Sequence, residues 1–184
     1  MFNGKDFTGW DGPVDNYEVA DGAIVCKPKK GGNIHTKAEF ADHVIRLEYK
    51  LPPGGNNGLA VRYPGNNVHV ATQAMCELQI LDDLADTNTE KFLTQAAIYG
   101  RRAPDVKASK APAEWQTLEA VMVANRVTVT LNGTIVHNNQ PVVGVTGGAL
   151  DNDETSPGPI MIQGDHEKVW IRRLVVTPIV TPGK

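Results

Sequence analysis

The stretch V-T-V-T-L-N-G-T-I-V, residues 127–136, decides the kind of fold. Val127, Val129 and Leu131 alternate with Thr128 and Thr130, so a strand puts the apolar three on one face and the threonines on the other. Asn132-Gly133 follows, and both residues tolerate the positive φ of a two-residue hairpin turn before Thr134-Ile135-Val136 returns. The same alternation recurs on either side. Leu118 to Val123 precedes it. Tyr17-Glu18-Val19 turns at Asp21-Gly22 into Ala23-Ile24-Val25-Cys26. From His43 to Leu51, residues Ile45, Leu47, Tyr49 and Leu51 oppose Arg46, Glu48 and Lys50. Further runs occupy Leu59 to Tyr63, Met75 to Asp83, Ile160 to Gln163 and Val169 to Val176. No segment has the period of an amphipathic helix, and two long stretches, 82–114 and 140–159, lack strand signals. Roughly ten short strands broken by Gly, Pro and Asn predict an all-β jelly-roll sandwich of antiparallel sheets. It forms a single domain over 1–184.

Composition narrows the function. The chain has 184 residues, 41% hydrophobic and 21% charged, which suits one soluble globular domain. A net charge of -3 and a pI near 5.9, with Lys and Arg scattered, argue against nucleic acid or an anionic membrane as partner. No apolar run approaches the ~20 residues of a membrane-spanning helix. The polar Asn3-Gly4-Lys5-Asp6 near Met1 leaves no room for a secretory signal peptide in this chain. Cys26 and Cys76 each sit in a strand-like run and are expected as buried free thiols.

Strict alternation in M-C-E-L-Q-I-L-D-D, residues 75–83, turns Cys76, Leu78 and Ile80 one way and Glu77 and Gln79 the other. Residues two apart on a strand project side by side, roughly 6.6 Å apart, a useful separation for groups flanking a sugar oxygen. Asp82 falls off the alternation, though a β-bulge would swing it onto the face of Glu77. The pattern E-x-Q-x-x-D resembles the E-x-D-x-x-E strand of laminarinase-type glucanases, where the outer carboxylates act as nucleophile and acid/base. Arg62, expected on the same face, would hold the Glu77 charge or bind a sugar hydroxyl; its plainer reading is a surface ion pair.

His35, His43, His69 and His137 have no metal-ligand spacing and are expected as structural or solvated. His166, in Gln163-Gly164-Asp165-His166-Glu167, stands in a polar turn that would bring a titratable group to the sheet rim. No cofactor is indicated. Calcium at Asp151-Asn152-Asp153-Glu154 is a weak prospect beside a solvated acidic loop. Trp10 and Trp115 could stack on sugar rings but at this density are expected to pack. Asn132-Gly133-Thr134 matches a glycosylation sequon, yet its role as a turn suffices.

Several segments together resemble the 3-keto-disaccharide hydrolase domain family. They are F-N-G-K-D-F-T-G-W (2–10), V-A-D-G-A-I-V (19–25), G-G-N-I-H-T (31–36), R-L-E-Y-K-L (46–51), G-N-N-G-L-A-V-R (55–62), E-L-Q-I-L-D-D (77–83), I-Y-G (98–100), E-W (114–115), V-T-L-N-G-T (129–134) and V-W-I-R (169–172). The resemblance implies a concanavalin-like jelly roll of two curved sheets, a carbohydrate ligand on a concave face, and a periplasmic or extracellular setting. It also implies cleavage of glycosides oxidised at C3 by acid/base chemistry. On that reading Glu77 is base or acid, and Asp82 or His166 is its counterpart. Arg62 and Gln79 orient the sugar or stabilise the enolate, and Glu48, Asn57 and Gln163 complete the substrate-binding set. Two departures stand out. Many relatives carry a histidine before Ile-Tyr-Gly, where this chain has Leu93-Thr94-Gln95-Ala96-Ala97, and the late Gly-His-Gly-Asp often found in them appears here as Gly164-Asp165-His166-Glu167. The alternative they leave open is a non-catalytic, lectin-like carbohydrate-binding module.

Overall fold

The computed structural model describes residues 2–27, 30–62, 76–84, 90–142, 156–164 and 168–180. Among them, strands β1 (Trp10–Asp11), β4 (Ile34–Thr36), β6 (Asn56–Val61), β7 (Cys76–Leu81) and β11 (Met161–Ile162) form a five-stranded antiparallel sheet in the order β1-β4-β11-β6-β7. Strands β2 (Tyr17–Ala20), β3 (Ala23–Cys26), β5 (His43–Lys50), β8 (Gln116–Val123), β9 (Arg126–Leu131), β10 (Thr134–Pro141) and β12 (Trp170–Pro178) form a seven-stranded sheet in the order β10-β9-β8-β5-β12-β3-β2. The result is the jelly-roll sandwich that the alternation predicts, with β1 and β4 as short strands the pattern did not single out.

The hairpin at 132–133 forms with both turn residues in the left-handed region, Asn132 at φ 51° and Gly133 at φ 82°. The Asn132 side chain is also used inward. Its Oδ1 accepts the Thr117 N–H at 2.9 Å, and its Nδ2 donates to Ala108 O at 2.8 Å and Gln116 Oε1 at 2.6 Å.

The core lies between the sheets. Ile45, Leu47 and Tyr49 of β5 and Cys76, Leu78 and Ile80 of β7 are all buried and belong to one apolar cluster, joined by Leu59, Ile162, Leu118 and Ile171. Trp10 packs there as expected. Both cysteines are free and buried. Burial, and then the neighbouring Glu77 charge, pushes the Cys76 thiol up to about 12, so it stays protonated and is a poor nucleophile.

The stretch after β7 is more than a loop. Residues 96–99 run along the outer edge of β7. Gln79 N–H donates to Ala97 O at 3.0 Å, Ala96 N–H to Gln79 O at 2.8 Å, and Tyr99 N–H to Glu77 O at 3.0 Å. These bonds occupy backbone groups that an edge strand otherwise offers to water or to another chain. No helix among the described residues is long and apolar enough to cross a membrane.

Burial predicts the scale of damage. Leu59, fully buried between the sheets, should lose about 2–5 kcal/mol on Leu59→Ala by urea unfolding. Ile135, 54% exposed, should change stability by no more than about 0.5 kcal/mol on Ile135→Ala.

Candidate functional site

Alternation on β7 leaves Glu77 and Gln79 on the outer face of the five-stranded sheet, since Cys76, Leu78 and Ile80 turn into the core. Cross-strand pairing carries that face outward. Glu77 lies opposite Ala60, Ala60 opposite Met161, Met161 opposite His35, and His35 opposite Asp11. The adjacent row holds Gln79 and Gly58, and Gln163, whose N–H donates to Gly58 O at 3.0 Å. Glu77 and Met161 are buried, His35 is half-buried and Asp11 is exposed, so the row opens toward water at its β1 end.

Gly58 makes the arrangement possible. A Cβ at this position would collide with Glu77 Oε1 and stand 3.1 Å from Gln163 Oε1. The carboxylate and the amide therefore lean together over bare backbone, where any side chain would push them apart. Gln79 is fixed beside them by a 3.3 Å bond from its Nε2 to Asn56 Oδ1. Glu77, Gln79 and Gln163 are each at most 4% exposed. A carboxylate flanked by two amides, shielded from water, can move a proton while the amides hold hydroxyl or keto oxygens.

Four other expected residues take different places. Asp82 does not swing onto the Glu77 face, because β7 stays in register through Leu81. Its Oδ2 accepts the Gly54 N–H at 2.9 Å and its Oδ1 the Leu84 N–H at 3.3 Å, which closes the turn before β6. Arg62 breaks the alternation at φ 54°. Its guanidinium donates to Ala124 O at 2.8 Å and Ala41 O at 3.3 Å and lies 3.5 Å from Asp42, tying the end of β6 to turns of the other sheet. Asn57 faces the core, and its Nδ2 donates to Gln163 O at 2.7 Å, so it acts on the site by fixing the Gln163 backbone. Glu48 belongs to the opposite side of the molecule. The inward row Ile45, Leu47, Tyr49 sends it to the outer face of the seven-stranded sheet, between Arg172 at 2.7 Å and Arg173 at 2.6 Å. Burial alone would raise its pKa, but the bonds and charges of the two arginines outweigh it and hold the carboxyl below the usual range.

His166 and the acidic stretch 151–154 lie outside the described residues. Among the described residues no three His, Cys, Asp or Glu side chains converge as metal ligands. His35 is the residue the sequence reading passed over. Ile34 points inward, which sends His35 outward onto the Glu77 row beside Asp11; three residues of strand are too short for alternation to reveal this. Burial lowers the His35 pKa, and the Asp11 charge opposes that shift.

Fold and site together define a β-sandwich domain with a carboxylate-centred polar face. The chain belongs to the family of 3-keto-alpha-glucoside-1,2-lyase-like domains, which matches it over residues 1–177. Among solved structures it is similar to a candidate glycosyl hydrolase from Parabacteroides distasonis ATCC 8503, with a TM-score of 0.79, 22% identity and coverage of 97% of this chain and 92% of that one. A second candidate glycosyl hydrolase from the same organism gives a TM-score of 0.79 at 21% identity, covering 94% of each chain. The carbohydrate-binding module CBM66 from Bacillus subtilis gives 0.58 at 10% identity, covering 94% of this chain and 97% of that one. At these identities the likeness is one of fold. No curated protein matches the chain in sequence.

The segment that pairs with the backbone of β7 at Glu77 and Gln79 is pinned by His137 of β10, whose Nε2 lies 2.9 Å from Ala96 O. A carbonyl only accepts, so Nε2 carries the proton in this bond. Burial lowers the His137 pKa, more than the Ala96 bond and Asp105 offset. Above about pH 6.5 the ring is neutral in both folded and unfolded chains; below it the unfolded chain binds a proton that the folded one refuses, so stability falls. The fall in urea midpoint from about pH 7.5 to about pH 5.5 should shrink in His137→Asn.

Proposed function

We propose that this domain cleaves glycosides already oxidised at C3, with Glu77 as the group that moves the proton. Two features support this reading: family membership over nearly the whole chain, and the convergence of Glu77 and Gln163 over Gly58 on a water-poor sheet face, which carries it.

A ketone at C3 acidifies the proton on C2. Glu77 takes that proton, and the electron pair is held as an enolate on the C3 oxygen. The enolate collapses, forming the C1–C2 double bond and expelling the C1 oxygen with its aglycone, which must be protonated as it leaves. Water then adds across the double bond, its oxygen to C1 and a proton to C2, giving the free 3-keto sugar. This chemistry needs one base, one acid and donors to the enolate oxygen. Gln79 and Gln163 are the donors in this proposal, and Glu77, protonated in the first step, returns its proton to the leaving oxygen or to C2. The saccharide beyond the cleaved bond extends over His35 and Asp11, where the face opens.

The second reading, a carbohydrate-binding module without catalysis, is favoured by one observation. Asp82 is committed to backbone N–H groups and is not available as an acid partner.

Hydrolysis of a chromogenic 3-keto-glucoside separates the two. Glu77→Gln should lower kcat by about 10²–10⁴-fold with an unchanged melting temperature, and the unoxidised glucoside should not react. Gly58→Ala should shift the carboxylate and lower kcat with little loss of stability, because its Cβ meets the movable end of a side chain. Undiminished turnover in Glu77→Gln would overturn the assignment. Saturable sugar binding without turnover in the wild type would favour the binding module.

A further inference from the structure

The outer face of the seven-stranded sheet carries a feature with no part in the chemistry above. Trp170 pairs with Lys50, and Trp115 directly precedes Gln116, which pairs with Tyr49, so Trp170, Lys50 and Trp115 form one row across β12, β5 and the start of β8. Both indoles are half-buried. Lys50 Nζ stands 4.9 Å from the Trp170 ring centroid and 5.1 Å from that of Trp115. Lys168 Nζ stands 5.0 Å from Trp170, and the Arg172 guanidinium lies 3.8 Å from Trp115.

Indole faces attract cations and hold them in place without neutralising them. Arg172 and Arg173 share the Glu48 carboxylate. Lys50 and Lys168 have ring partners but no ion pair with any described carboxylate. Among the described residues, Lys50, Lys168, Arg172 and Arg173 surround one carboxylate at the centre of the patch, Glu48, in a chain whose net charge is -3. Glu18, opposite Val25 at the far end of the row, and Glu114, next to Trp115, flank this patch.

We propose that this face is a second binding site, for an acidic polysaccharide of the uronate type. The row spans roughly 10 Å at the usual strand spacing, which suits a short run of an extended saccharide. Carboxylates along such a chain meet Lys50, Lys168 and Arg173, and the indoles contribute by holding Lys50, Lys168 and Arg172 in place over their faces. The site is separated from Glu77 by the whole core, so it requires no particular chemistry there.

The test is calorimetric titration with oligogalacturonate, at about 20 mM and about 500 mM salt, with a neutral glucan oligosaccharide as control. Saturable binding is expected, weakened about tenfold or more by salt, by Lys50→Glu and by Trp115→Ala. Lys168→Ala, at an exposed position, should weaken it with the fold intact, and Glu77→Gln should leave it unchanged. Absence of binding, equal binding of the neutral glucan, or loss only in Glu77→Gln would each overturn the proposal.

Discussion

Two apolar rows, one on β5 and one on β7, leave water only by sharing the space between the sheets. Each fully buried Leu or Ile contributes on the order of 1.5–3 kcal/mol, so the inward set Ile45, Leu47, Cys76, Leu78 and Ile80 dominates the choice of register. With a period of two, this burial also decides where every intervening residue goes. A slip of one residue on β7 would bring Glu77 and Gln79 into the core and expose three apolar side chains. The polar outer faces, including the candidate site, are thus the obligatory reverse side of the core.

The second organising element is Gln95. Its Nε2 donates to the Tyr49 hydroxyl in the core, its Oε1 accepts the Leu81 N–H at 2.6 Å, and its own N–H reaches Asp83 Oδ2 at 3.4 Å. Asp83 is bonded in turn to Ser109 at 3.2 Å and lies 3.9 Å from Lys107. Burial, followed by the Asp83 charge, pushes the Tyr49 phenol above its usual range, so the hydroxyl stays protonated. This polar knot binds the 90–102 segment to the end of β7 and so maintains the backbone pairing beside Glu77.

The strands of four residues or more were legible, because period-two alternation needs at least a couple of repeats to be distinctive, whereas β1 and β4 are too short to show it. The hairpin at 132–133, the inward row of β5 and the outward Glu77 and Gln79 follow from it directly. Alternation says only which face a residue takes within its own strand, however, and not which sheet that strand joins. Glu48 therefore looked equivalent to Gln79 and proved to lie on the other side of the molecule. Arg62 eluded the pattern through a single left-handed residue, and Asp82 through a turn whose N–H groups needed an acceptor. The closeness of Glu77 and Gln163 depends on the pairing of Gln163 with Gly58, 105 residues apart in sequence, and on a missing Cβ at Gly58, neither of which has a local signature.

The hairpin asparagine has a consequence for how the chain matures. The nitrogen of Asn132 to which an N-glycan would be joined is the one donating to Ala108 O and Gln116 Oε1 in the finished fold. In a host that glycosylates secreted chains, attachment and hairpin closure would compete for the same atom. Whichever came first would exclude the other, so occupancy at this sequon would record how quickly β8, β9 and the 108–110 segment come together during synthesis.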